Sequence, residues 1–215
     1  VHGFGEHGGR YEEMASWFAR RGFAVYAHDQ QGHGRSPGKR GHVDHFEEFF
    51  DDVECLISVV AEKHPGLSRV LVGHSMGGNV VMMYAGARPD RIRRLINLEG
   101  FGMSSTRPSQ APGRLGQWLD ELQAFKKGEL DLKPYPDAAA VAQRLMKTNK
   151  RLSQDKADWL AQHWAQADAQ GEWRILGDSA HKVVNPYLYR VDEVLEIYKR
   201  IKAPTLMVEA SDDSL

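Results

Sequence analysis

With 215 residues and 41% hydrophobic content, the chain can bury the core of one α/β domain that carries an insertion. A net charge of −1 and a pI near 6.9 give no electrostatic field for nucleic acid or an anionic membrane, so we expect neither as a partner. Cys55 is the single cysteine, which excludes an intramolecular disulfide and a thiolate metal cluster, and we expect it to be buried in a helix.

Hydrophobic periodicity predicts alternating helices and strands in the first hundred residues. The predicted order is helix 10–21, strand 23–28, helix 45–63, strand 68–73, helix 76–88 and strand 92–99. This alternation is typical of a parallel sheet covered by helices on both faces. No apolar run reaches the roughly 18 to 20 residues that span a bilayer, so no membrane span is expected.

The pattern changes after Gly100, where helices are predicted without parallel strands between them. These helices are expected at 114–127, 137–149 and 153–169, before helix 190–200 and strand 205–209 restore the alternation. We therefore predict a core formed by 1–103 and 187–215, with a helical cap inserted at 104–186. The cap contains four of the five tryptophans, which either line an apolar acyl or aryl pocket or simply pack the helices. They are Trp118, Trp159, Trp164 and Trp173.

The segment Gly73-His74-Ser75-Met76-Gly77-Gly78 lies between a predicted strand and a predicted helix. In a Gly-x-Ser-x-Gly turn of this kind the serine is held in a strained conformation at the apex. The helix that follows directs backbone N–H groups and the positive end of its dipole toward negative charge beside the serine. Ser75 is therefore the candidate nucleophile, and the N–H of Met76 is a candidate oxyanion donor.

The chain opens with a second motif, His2-Gly3-Phe4-Gly5-Glu6-His7. A His-Gly-x turn after a strand directs the N–H of its third residue, here Phe4, toward the nucleophile. Phe4 and Met76 would then form an oxyanion hole with two donors, each typically worth about a hundredfold to a thousandfold in turnover.

These two motifs, with Gly32-His33-Gly34-Arg35-Ser36, resemble the α/β-hydrolase superfamily and, within it, the monoacylglycerol lipase and lysophospholipase branch. The resemblance covers residues 1–103 and returns near 187–213. It implies an α/β fold with a mostly parallel sheet, no metal and no organic cofactor. It also implies that the Gly32–Ser36 loop packs beneath the site, which makes His33 a poor candidate for the general base.

The orienting acid is expected after a late strand, in the chain order serine, carboxylate, histidine. Asp213 matches the family's acid position, with Ala210 where a glycine is usual, and Asp212 is the neighbour that a shift of register would select. Glu99, at the end of strand 92–99, is the alternative, because some relatives take their acid from that strand. We prefer Asp213 on the chain order.

The base is expected beyond Leu215, because all ten histidines precede Asp213 and none stands at the family's position. His181, in the insertion, is a disfavoured candidate. Val1 would end a strand lying between those at 23–28 and 68–73. We therefore expect an internal fragment that lacks N- and C-terminal strands and is unstable and inactive when expressed alone.

For the intact protein, the sequence predicts a serine hydrolase of carboxylic esters, with a small-molecule substrate that carries an apolar acyl group. The alternatives are a carbon–carbon bond hydrolase or haloperoxidase-like enzyme on the same triad, or a noncatalytic binding protein of the same fold. A cytoplasmic location is expected, and the oligomeric state stays open.

Overall fold

The computed structural model of the protein describes residues 1–39, 43–100, 102–176 and 179–210, without the side chain of His181. Its α-helices are α1 (Glu12–Ala19), α2 (Glu48–Lys63), α3 (Met76–Ala87), α4 (Ala111–Lys126), α5 (Ala138–Thr148), α6 (Gln154–Trp164) and α7 (Val191–Tyr198). Its strands are β1 (Val70–His74), β2 (Arg94–Leu98), β3 (Ala165–Ala167), β4 (Trp173–Ile175) and β5 (Thr205–Val208). Short 3-10 helices span Gly8–Tyr11, Pro108–Gln110 and Ser179–Lys182.

Contacts divide the chain into two compact units. The first unit comprises Val1–Pro112 and Tyr187–Leu215, and the second comprises Gly113–Pro186.

A parallel sheet in the order β1-β2-β5 forms the centre of the first unit. Leu95 of β2 pairs with Leu71 of β1 and with Thr205 of β5, which aligns the carboxyl ends of the strands at one edge. Val1 bonds to the other side of β1, where its backbone nitrogen donates to the Val72 carbonyl at 2.7 Å and its carbonyl accepts from His74 N–H at 3.1 Å. The predicted parallel α/β sheet is therefore observed.

Helices α2 and α3 supply most of the core on this sheet. Phe49, Val53 and Ile57 recur every four residues along α2 and form one buried stripe. Cys55 is exposed, contrary to our expectation, because it lies two residues from Val53 and therefore on the opposite face of the helix. Helix α3 is buried along most of its length because it packs on the sheet, on α2 and on α7.

The strand predicted at 23–28 is not observed. A strand needs a continuous hydrogen-bonding neighbour, and only Val1 pairs with that edge of β1 in the described residues. Residues 23–28 are tied down by other contacts, such as that between the Tyr26 hydroxyl and His64 Nε2 at 2.9 Å. Apolar character alone did not make this segment a strand.

The second unit has its own small core between α5 and α6. Its buried residues are Val141, Ala142, Ala157, Ala161 and Ala165. Strands β3 and β4 form an antiparallel pair next to this core, and Trp173 packs against it. Trp159 and Trp164 are exposed in the unit, so only part of its aromatic surface is used for packing.

None of the helices in the described ranges combines the length and apolar character needed to cross a membrane.

Candidate active site

Ser75 stands between β1 and α3 at the carboxyl end of the parallel sheet. Its backbone angles, φ 52° and ψ −118°, lie in a region that side chains other than glycine rarely adopt. Its N–H donates to the Leu98 carbonyl at 2.7 Å, which fixes the turn against the end of β2. The residue is exposed, so its hydroxyl is open to a reactant.

The turn is so tight that two of its glycines have no space for a side chain. A Cβ at Gly73 would lie 2.2 Å from the Gly77 carbonyl oxygen. This close contact occurs where β1 and α3 pack against each other. A Cβ at Gly77 would lie 2.4 Å from the Val1 oxygen and 2.5 Å from the His2 oxygen. The first turn of α3 therefore packs directly on the backbone that begins the His2–Glu6 turn.

His2 is a buried, neutral imidazole that stabilises that turn through hydrogen bonds. Its Nε2 accepts from Gln30 N–H at 2.9 Å, so Nδ1 carries the proton and donates to the Gly3 carbonyl at 2.8 Å. Burial lowers the pKa of His2 to about 4, and Gln30 in turn donates to the His2 carbonyl. His2 is therefore a structural part of the turn and not a base.

A polar cluster next to the turn was not predicted from the sequence. It joins Glu6, Tyr11 and His74, and we call these three residues the Glu6 cluster. The Tyr11 hydroxyl lies 2.5 Å from Glu6 Oε2 and 2.8 Å from His74 Nδ1. Glu6 Oε2 also accepts from Gly3 N–H at 2.9 Å and lies 3.2 Å from His74 Nδ1.

The electrostatics of the cluster favour a charged Glu6 and a neutral Tyr11. Burial opposes ionisation of Glu6, but hydrogen bonds from Tyr11 and Gly3 and the charge of Arg10 outweigh it and hold the pKa of the carboxyl below its ordinary value. Burial and the hydrogen bond to Glu6 raise the pKa of the Tyr11 phenol. At neutral pH the cluster therefore consists of a carboxylate that accepts and a phenol that donates.

The Hydrolase_4 family, described as serine aminopeptidase S33, matches residues 1–215. The chain belongs to the Hydrolase_4 family.

Curated relatives of this Hydrolase_4 chain include lipases. It is 43% identical over 96 residues to a monoacylglycerol lipase of Mycolicibacterium smegmatis, covering 45% of this chain and 34% of that protein. It is 41% identical over 95 residues to the monoglyceride lipase of Homo sapiens, covering 44% and 31%. A monoglyceride lipase homolog of Monkeypox virus is 30% identical over 169 residues, covering 69% and 61%. The first two matches thus span about a third of each relative's length.

Solved structures show the same fold. A hypothetical protein of Pseudomonas aeruginosa PAO1 superposes with a TM-score of 0.74 at 24% identity, covering 98% of this chain and 72% of that one. A thioesterase domain from the curacin biosynthetic pathway superposes with a TM-score of 0.72 at 28% identity, with the same coverage. The predicted resemblance to α/β-hydrolases, and to their monoacylglycerol lipase branch, is confirmed.

His33 lies beneath the His2–Glu6 turn of this Hydrolase_4 chain. Its buried ring is 5.2 Å from that of His2 and 5.9 Å from that of Phe4, measured between centroids. Its Nδ1 lies 3.0 Å from the Gln31 carbonyl oxygen. His33 is therefore buried against the rings of His2 and Phe4.

Of the three candidates for the orienting acid, the structure describes only Glu99. Asp212 and Asp213 lie outside the described residues. Glu99 directly follows β2 and has a positive φ of 57°, and its carboxylate accepts from Ala210 N–H at 3.1 Å. The carboxylate of Glu99 is thus engaged with the backbone that follows β5.

Hydrogen bonds to the Ser75 hydroxyl are absent among the residues that the structure describes, and the ring of the adjacent His74 is held by the Glu6 cluster. The disfavoured His181 has no described side chain. Across the same residues, no group of three or more His, Cys, Asp or Glu side chains is placed to hold a metal ion.

Proposed function

We propose that the protein is a serine hydrolase of carboxylic esters, with Ser75 as its nucleophile. The observation that carries this proposal is the strained, exposed serine between β1 and α3, at the carboxyl edge of a parallel sheet. Ligands of open α/β sheets bind at that edge. Strain at a solvent-facing serine costs stability and is typical of a functional site.

In this mechanism, Ser75 Oγ attacks the ester carbonyl carbon while a general base takes its proton. The carbonyl oxygen becomes an oxyanion, which the backbone N–H groups of Phe4 and Met76 stabilise. Met76 is the first residue of α3, so the positive end of the helix dipole adds to that stabilisation. Collapse expels the alcohol, which receives the proton held by the base. Water, deprotonated by the same base, then attacks the acyl-enzyme, which releases the carboxylic acid and restores Ser75.

The base in this proposal is a histidine that follows Asp213 in the full-length protein, and Asp213 orients it. His2 and His33 are buried under the turn, and the Nδ1 of His74 is engaged by Tyr11 and Glu6. Glu99 is already used by Ala210 N–H. These engagements support the assignment of acid and base to the part of the protein around and after Asp213.

For the substrate, we propose a monoester with an apolar acyl chain. The identity to monoacylglycerol and monoglyceride lipases supports it, as does the presence of exposed apolar side chains in the second unit, among them Trp159 and Trp164. In this proposal the region 104–186 acts as the cap that receives the acyl chain. Thioesters are a second candidate, favoured by the thioesterase neighbour at 28% identity.

The test uses the full-length protein, a fluorophosphonate that labels activated serines, and p-nitrophenyl esters of increasing acyl length. We expect labelling at Ser75, turnover that rises with acyl length, and a loss of about a millionfold in kcat for Ser75→Ala. The exposed Ser104 provides a matched control, and Ser104→Ala is expected to retain wild-type turnover.

An acyl thioester and an amino acid p-nitroanilide extend the panel to the chemistry named by the thioesterase neighbour and by the family description. Faster turnover of either one than of the esters would replace the substrate class but keep the nucleophile. A folded protein that neither labels nor hydrolyses any of these compounds would overturn the proposal in favour of a binding function.

A further inference from the structure

The Glu6 cluster connects three segments that the mechanism needs in a fixed relation. Glu6 belongs to the turn that carries Phe4, Tyr11 ends the 3-10 helix Gly8–Tyr11, and His74 directly precedes Ser75. Glu6 and His74 are separated by 68 residues of sequence but lie in contact through their side chains. The cluster is thus a direct side-chain link between the two turns that flank the proposed oxyanion.

The protons of the cluster can be assigned from its donors and acceptors. Glu6, as a carboxylate, only accepts, so the Tyr11 hydroxyl donates to it over 2.5 Å. The Tyr11 oxygen then has lone pairs left for His74, so Nδ1 of His74 is the protonated nitrogen and donates to it over 2.8 Å. The same Nδ1–H lies 3.2 Å from Glu6 Oε2, as a second, weaker acceptor.

The backbone of the His2–Glu6 turn is itself bonded to the cluster. Gly3 N–H is used by Glu6 Oε2 at 2.9 Å, and Glu6 N–H closes the turn on the Gly3 carbonyl at 3.3 Å. A Cβ at Gly3 would lie 3.0 Å from Glu6 Oε2 and 3.4 Å from His74 Nδ1, so the backbone itself sits against the cluster. Phe4, the proposed oxyanion donor, directly follows Gly3 in this turn.

We propose that Tyr11 is a positioning residue, whose hydroxyl bridges Glu6 and His74 and so holds the Phe4 N–H in place relative to Ser75. This inference rests on the proposed function, since it assigns a role within that oxyanion hole. The hydroxyl is the one group of the cluster that donates to Glu6 and accepts from His74 at the same time. Without it, the side-chain link between Glu6 and His74 reduces to their direct contact of 3.2 Å.

A positioning role acts mainly on the transition state, because the oxyanion forms only there. Tyr11→Phe keeps the ring, whose centroid is 6.1 Å from that of His74, and removes only the hydroxyl. In the full-length protein, we expect kcat to fall by about ten- to a hundredfold while KM changes by less than about twofold. The rate of fluorophosphonate labelling at Ser75 should fall in parallel, because the phosphoryl oxygen gains negative charge in the same hole while the serine attacks and fluoride leaves.

Tyr26 offers a matched control, since its hydroxyl also contacts a histidine ring, at His64 Nε2, and neither residue belongs to the two turns. Tyr26→Phe should leave kcat and labelling at wild-type values, and melting temperatures of both variants separate a loss of folding from a loss of positioning. His74→Asn gives a second route, because its side-chain N–H replaces Nδ1–H. It should retain more activity than His74→Ala.

The outcomes separate this inference from the function on which it rests. If wild-type protein labels at Ser75 but Tyr11→Phe keeps its kcat, or changes only KM or the melting temperature, the positioning role is wrong and the hydrolase remains. If His74→Asn and His74→Ala lose activity equally, the link through Nδ1–H is also wrong. If wild-type protein neither labels nor turns over esters, the proposed function fails and this inference fails with it.

Discussion

Ser75 and Glu99 follow adjacent parallel strands, and both have positive φ angles, yet the two turns are held by different kinds of contact. In the described part of the chain they are the two non-glycine residues with such angles, at 52° and 57°. The glycines that flank Ser75 pack closely against neighbouring backbone, since Gly73 and Gly77 leave no room for a Cβ. Glu99 is exposed. Its N–H donates to the Val208 carbonyl, and its carboxylate accepts from Ala210 N–H.

The difference shows how the same backbone strain serves two purposes. At Ser75, buried packing enforces the strain, so the side chain is presented in one direction whatever its own preference. At Glu99, the side chain itself holds the segment after β5, the segment that leads to Asp212 and Asp213. Glu99 therefore fits a structural tether better than a catalytic acid, which supports Asp213 in that role.

The largest expected effect is on kcat, and it distinguishes Asp213 as the orienting acid from Glu99 as a structural tether. In the full-length protein, Asp213→Asn should lower kcat for a p-nitrophenyl ester by about ten-thousandfold, as is typical when the carboxylate that orients a catalytic histidine is lost. Glu99→Gln should cost no more than about tenfold, because its amide oxygen still accepts one neutral hydrogen bond from Ala210.

Asp212→Asn is the neighbouring control and should behave like Glu99→Gln. A ten-thousandfold loss in Glu99→Gln with an active Asp213→Asn would reverse the roles of the two residues. The same loss in Asp212→Asn alone would shift the acid by one position.

A smaller effect tests whether backbone packing holds the Ser75 turn. Gly77→Ala places a Cβ within 2.4 Å of the Val1 oxygen, so α3 must move away from the His2–Glu6 turn. We expect the free energy of unfolding to fall by about 3 kcal/mol, at the upper end for an overpacked core. Urea denaturation, followed by tryptophan fluorescence, measures the change.

The matched control is Gly116→Ala in α4, where a Cβ meets no atom within 4 Å. That substitution should raise the free energy of unfolding by about 0.5 to 1 kcal/mol, because alanine favours a helix over glycine. Equal effects of the two substitutions would show that the Ser75 turn tolerates a side chain at Gly77.

The smallest expected effect measures the strain itself. Ser75→Gly should stabilise the protein by about 1 kcal/mol relative to Ser75→Ala, since glycine tolerates the φ of 52° that alanine does not. Glu99→Gly should be close to neutral, because relief of strain is offset by loss of the bond to Ala210. Thermal melts of the four proteins, wild type included, give the comparison.

If Ser75→Gly and Ser75→Ala melt at the same temperature, the positive φ at Ser75 carries no measurable strain. If Glu99→Gly is the more stabilised of the two glycine variants, the tether contributes less than the strain that it imposes.

The elements around Ser75 were predictable, since β1 and α3 lie within two residues of their expected ends. The helix predicted over 153–169 was too long, because α6 ends at Trp164 and residues 165–167 pair with β4 instead. That pairing depends on residues 173–175, which local helical periodicity does not detect. The strand at 23–28 failed for the related reason that a strand exists only with its neighbour.

The Glu6 cluster was missed, although Glu6 and His74 both belong to motifs that were recognised in the sequence. Glu6 follows Gly3 by three residues, and His74 stands beside Ser75, so the signal was polar residue types at both turns. The sequence did not show that Tyr11 joins these two residues, because Tyr11 is 63 residues from His74 in the chain.

The sequence by itself determined the strand–turn–helix around Ser75, the family and the alternation of the first unit, because these depend on glycine spacing and apolar periodicity within short segments. Only the tertiary structure decided which polar groups meet, as when Tyr11 forms hydrogen bonds with Glu6 and His74 or Glu99 accepts from Ala210. The physical reason is that a hydrogen bond requires donor and acceptor within about 3 Å, a condition set by packing between distant segments and not by local preference.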